Sequence, residues 1–104
     1  MLGRGRFRGV IERQLDIFAA DETALLDEGK AADVAWTNAD REESEELFGD
    51  YQLVVDAVGE RLYDVRESYA GTLDKATADD YREAFNHAAL KRFKRYASFL
   101  EAGD

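Results

Sequence analysis

The sequence predicts an all-α fold, an antiparallel up-down-up three-helix bundle that is elongated along its axis. Three observations predict it. Among 104 residues there is no Pro, and good helix formers dominate nearly everywhere. From Phe48, the apolar residues Tyr51, Val55, Val58, Leu62, Val65 and Tyr69 follow in alternating steps of three and four, an a/d seam over three heptads. The connections between amphipathic segments are short, which favours antiparallel neighbours. A chain of this length supports one core, so a single domain is expected over 1–104.

The first helix is expected over about 6–32. Phe7, Val10, Ile11, Leu15, Phe18, Leu25 and Leu26 make its apolar stripe, with Gln14, Asp21, Glu22 and Glu28 intruding near core positions. Gly29 is a candidate end, with continuation to Trp36 as the alternative, and Val34 to Ala39 is the one linker candidate. The second helix is expected over about 39–71. Asp40 and Glu43 have the spacing of a capping box, and Gly71 suits a C-terminal stop. At 1.5 Å per residue it would be roughly 50 Å long, so either the bundle is elongated or the helix breaks, with Gly59 the expected place. The third helix is expected over about 78–101, capped by Thr77, with Tyr81, Phe85, Ala89, Phe93, Tyr96 and Leu100 facing the core.

Composition excludes several classes of function. There is no Cys, so disulfides and thiolate metal sites are excluded, and one His cannot build a site that needs several imidazoles. No run of about 18 apolar residues exists to span a membrane. The basic N-terminus lacks the apolar region of a signal peptide, so a cytoplasmic protein is expected. Arg outnumbers Lys ten to four, and acids reach 23. That bias suggests a GC-rich or salt-adapted source, because salt screens the self-repulsion of a net charge of -9.

The stretch LKRFKRYASF, Leu90 to Phe99, holds four cations and three aromatics. In an up-down-up bundle, Lys91, Arg92, Lys94 and Arg95 would meet Asp40, Glu42, Glu43, Glu45 and Glu46 at the start of helix 2. At the opposite end Arg4, Arg6 and Arg8 would lie near Asp64, Glu67, Asp74, Asp79 and Asp80. The stretch therefore reads as core aromatics plus intramolecular ion pairs. Nucleic-acid binding would need a net basic footprint, and only the N-terminal arginines Arg4, Arg6 and Arg8 offer one.

Glu83 and His87 share a face of the third helix and are the weak metal candidates. They are spaced by four rather than as the Glu-x-x-His of carboxylate-bridged bundles, so no metal or cofactor is expected. No nucleophile–base order or phosphate-cradling glycine loop is visible, and no enzymatic activity is expected. The leading expectation is a non-catalytic interaction or scaffold module that binds helices, its own copy first among them as a homodimer. Leu47, Val54 and Leu90 lie off the main stripes as candidate spare apolar surface, and Trp36 is a candidate anchor for a partner. A carboxylate-rich metal-binding bundle and a nucleic-acid accessory are the alternatives.

Overall fold

The computed structural model describes residues 5–102, without the side chains of residues 98, 99, 101 and 102. The chain is all-helical, with no strand among the described residues. Five helices follow in order: α1 Arg8–Asp21, α2 Thr23–Thr37, α3 Arg41–Ala70, α4 Lys75–Arg92 and α5 Lys94–Ala102. None of them is long and apolar enough to cross a membrane.

Among the described residues the three expected helical segments are thus divided into five helices, because the first and third segments each break at one residue. At Glu22 the backbone moves to φ -106°, ψ 26° while the Glu22 N–H still bonds the Phe18 carbonyl at 2.9 Å. The cause is local. The Thr23 hydroxyl donates to the Ala19 and Ala20 carbonyls, each at 3.0 Å, and such back-bonding bends a helix. At Phe93 the backbone opens to φ -124°, ψ 52°, and the ring packs edge-on against Phe18 at 5.4 Å. The two breaks therefore lie at nearly the same level of the molecule.

Helix α3 runs unbroken through Gly59, which is buried. Its 30 residues cover about 45 Å at 1.5 Å per residue. That nearly matches the 50 Å long axis of the molecule, whose other extents are 25 and 22 Å. The radius of gyration of 15.4 Å exceeds the roughly 13 Å of a compact domain of this size, so the expected elongation is present.

Side-chain contacts give the directions of neighbouring helices. Trp36 meets Phe48 and Tyr51, and Glu22 meets Arg61, so α2 and α3 are antiparallel. Tyr69 meets Tyr81 and Arg66 meets Asn86, so α3 and α4 are antiparallel. Phe7 meets Tyr81 and Asp16 meets Arg92, so α1 and α4 run the same way. One apolar core joins these elements, from Phe7, Ile11, Leu15 and Phe18 through Val58 and Leu62 to Tyr81, Phe85, Tyr96 and Leu100.

The ends of the helices follow capping chemistry. Asp40 accepts the Glu43 N–H at 2.9 Å, as its spacing predicts, and Gly71 is the C-cap of α3. The start of α4 is corrected. Asp74, not Thr77, is the cap, and Thr77 instead donates both its N–H and its hydroxyl to the Asp74 carboxylate at 2.9 and 3.0 Å. Asp is among the strongest N-caps, and Thr77 sits at the N3 position whose N–H the cap receives. The expected linker at Val34–Ala39 is corrected too, since α2 continues to Thr37.

Candidate interaction surface

The expected spare apolar residues are redistributed by the helix period. A strict 3.5 repeat drifts around a straight helix of 3.6 residues per turn, so over three heptads the buried face of α3 rotates. Phe48, at the start of the seam, is 42% exposed, whereas Val54, off the seam, is only 8% exposed. Leu90 is half-buried against the core, and Leu47 is half-buried. Val54 and Leu90 are therefore corrected from free surface to core and core margin.

Among the described residues the most exposed large apolar side chain is Leu53, at 70%, ahead of Val34 at 58% and Ile17 at 52%; periodicity in the sequence did not single it out. It lines a groove of about 470 Å³ between α2 and α3 with Glu28, Ala31, Ala32, Ala35, Leu47, Asp50 and Val54. Small alanines form the α2 wall, and larger aliphatic side chains form the α3 wall. Two of the predicted residues, Leu47 and Val54, thus reappear as part of its lining. Helix α5 packs on α3 and α4, and its side chains reach α2 away from the groove. There Arg95 bonds Asp33 at 2.9 Å, and a Cβ built at Gly29 would stand 3.2 Å from Cζ of Tyr96.

Trp36 is half-buried at the α2–α3 connection. Its ring stacks on Tyr51 with centroids 5.6 Å apart and tilts against Phe48 at 4.9 Å. It anchors the end of the hairpin, and its remaining surface adjoins Asp40, Arg41, Ser44 and Glu45.

Two of the four cations of Leu90–Phe99, Arg92 and Arg95, bind the chain's own acids, but other ones than expected. Arg92 donates to Asp16 at 2.6 Å and Arg95 to Asp33 at 2.9 Å, so α1 and α2 supply the partners in place of the first turns of α3. At the N-terminus Arg4 lies outside the described residues. Arg6 is exposed with its guanidinium 5.2 Å from the Phe7 ring centroid, and Arg8 pairs with Glu12 on its own helix at 3.4 Å. Of the acids expected to face them, Glu67 and Asp79 bind Arg82 instead. The Asp74 carboxyl is held below the ordinary Asp range, first by the Thr77 N–H and hydroxyl, with a smaller contribution from the charge of Arg6.

Glu83 and His87 are exposed on α4, and among the described residues no three acidic or histidine side chains come together to hold a metal ion. His87 lines an open groove of about 690 Å³ between α1 and α4, whose rim mixes Arg8, Lys91 and Arg92 with Glu12 and Asp16. Arg8 and Arg92 are committed there to those two acids.

Sequence reasoning missed the polar network under α3. Arg66 is 2% exposed, and its Nε and Nη1 donate to Glu67 and Asn86, each at 2.8 Å. Arg82 grips the same Glu67 carboxylate from α4 at 2.9 and 3.0 Å. The Arg82 bond, then Arg66, holds the Glu67 carboxyl below the ordinary Glu range against an opposing effect of burial. The available signal was position: Arg66 follows Leu62 by one turn on the core side of the seam. Tyr81, fully buried, donates to Gln14 at 2.7 Å, and burial pushes its hydroxyl up to about 12. That bond accounts for Gln14 in the α1 stripe.

Comparison with protein-family models found no matching family. Comparison with curated proteins and with solved structures found no match either.

Proposed function

We propose that this chain is a non-catalytic interaction module that docks a helix in the α2–α3 groove, with a second copy or another helical protein as the class of occupant. In this reading the five helices act as three rods, up-down-up, with α1–α2 and α4–α5 as the bent outer rods and α3 as the straight strut. The cytoplasm is the expected compartment. Leu53 carries the reading. A large aliphatic side chain left 70% exposed, above a floor of Leu47, Val54 and three alanines, is apolar surface placed in a concave site. Alanines on one wall allow another helix to approach closely, at the 8–10 Å axis separation of ordinary helix packing.

Light scattering at near-molar salt and high protein concentration tests the groove, because salt of that strength screens repulsion between acidic copies. The wild-type chain is expected to exceed its monomer mass of 11.7 kDa in a concentration-dependent way, and Leu53→Asp to remain at that mass. Identical masses for the two proteins would remove a second copy as the occupant of the groove and leave only another helical protein.

A further inference from the structure

The charge of the molecule is concentrated on the half that bears the groove. Between residues 21 and 60 there are thirteen acids and only two cations, Lys30 and Arg41, a net charge of -11. The rest of the chain sums to +2, and residues 61–104 hold eight acids and eight cations. The acid excess is therefore unevenly distributed along the chain. Outside this segment, Arg61 and Arg95 reach in to match Glu22 and Asp33. Glu28 and Asp50 line the groove, on opposite walls. Glu43 and Glu46 are exposed four residues before Leu47 and Asp50, which places them on the same side of α3.

Resting on the docking reading above, we infer that the groove selects a cationic amphipathic helix from a partner protein rather than a second copy of this chain. The apolar face of such a helix would cover Leu53 and Leu47, and its flanking Lys or Arg would meet Glu28 and Asp50. Two copies meeting through the same face would instead bring two segments of net charge -11 together. Like-charge juxtaposition of that kind suppresses association at low salt, while the opposite charge of a basic helix steers it. The guest lies against α2 and α3, and with α5 it makes this end of the molecule a four-helix packing.

The probe is a fluorescent Leu/Lys amphipathic peptide of about 18 residues, long enough to form a helix on docking. Its controls are a scrambled isomer of equal charge and a Leu/Glu analogue. Titration at low ionic strength is expected to show binding of the Leu/Lys peptide, about tenfold weaker for the scrambled isomer and absent for the Leu/Glu analogue. Leu53→Asp is expected to weaken binding about tenfold, and Glu28→Lys with Asp50→Lys to weaken it and flatten its salt dependence. Leu53 is exposed, so circular dichroism should show all variants folded. Equal binding of the scrambled isomer would overturn the inference, because charge alone then suffices. Equal binding of the Leu/Glu analogue would overturn it because charge then does not select. No peptide binding beside self-association that Leu53→Asp abolishes would leave the groove but make its occupant a second copy. Neither binding nor such self-association would remove both readings.

Discussion

Gly29 leaves room on α2 for the Tyr96 side chain that reaches it from α5. A Cβ at position 29 would run into the Tyr96 hydroxyl and stand 3.2 Å from Cζ of that buried ring. Gly29→Ala is therefore expected to cost about 1–3 kcal/mol by overpacking, read as a lower urea midpoint. Tyr96→Phe in the same chain should recover part of that loss, a coupling that a double-mutant cycle measures directly. Tyr81 makes a pH prediction with a definite sign. Burial raises its folded-state hydroxyl to about 12 from 10.0, so the unfolded chain releases its proton first. Its contribution is complete below pH 10 and falls away as pH rises toward 12, by about 2–3 kcal/mol at 1.36 kcal/mol per unit. In Tyr81→Phe that alkaline loss should shrink; an unchanged alkaline limb would contradict the burial of this hydroxyl. Glu67 works in the opposite direction. Its folded carboxyl is depressed below 4.5, so its contribution is present above that value and is lost as pH falls through the folded value. Glu67→Gln should flatten this acid limb and cost about 1–3 kcal/mol at neutral pH, because Arg66 beneath it keeps its charge with a weakened partner.

At the scale of the element, single residues decide where helices begin and bend. Asp74 receives both donors of Thr77, so Asp74→Ala should lower the urea midpoint, while Thr77→Val, which keeps the N–H bond, should lower it less. A larger loss at position 77 than at 74 would reverse the cap assignment. The bend at Glu22 has a comparable origin, since the Thr23 hydroxyl takes hydrogen bonds to carbonyls that the helix ladder uses. Arg61 of α3 then holds Glu22 with two bonds, at 3.0 and 3.1 Å, across the bend. The break at Phe93 has its partner in Phe18. The Phe93 break thus meets α1 one turn before the Glu22 bend, while α3 stays continuous through a buried Gly59.

Over the whole molecule, charge and shape are organised together. The segment of net charge -11 forms the α2–α3 half, and the ion pairs from Arg61 and Arg95 offset only part of its self-repulsion. Adding salt should therefore raise the thermal midpoint, and Glu46→Lys should raise it at low salt with the gain vanishing near 1 M, where the Debye length is about 3 Å. A gain that survives high salt would place its origin in packing rather than charge. Helical content, the Asp40 cap, the core stripe from Tyr81 to Leu100 and the long axis were all legible in the sequence, because each depends on local propensity or on spacing along one helix. The breaks at Glu22 and Phe93, the pairing of Arg92 with Asp16 and of Arg95 with Asp33, and the burial of Arg66 were not. Each depends on which residue of another helix arrives opposite, and one-dimensional spacing carries no such register. The groove shares that division. Leu47 and Val54 could be picked out as lying off the stripe, but only the packing of the other helices around α3 decided that Val54 is covered and Leu53 stands open. The sequence by itself determined that this chain is helical, acidic and amphipathic. Long-range packing then selects which apolar side chains face solvent, Leu53 most of all, because exposure is set by the neighbours it brings to each face.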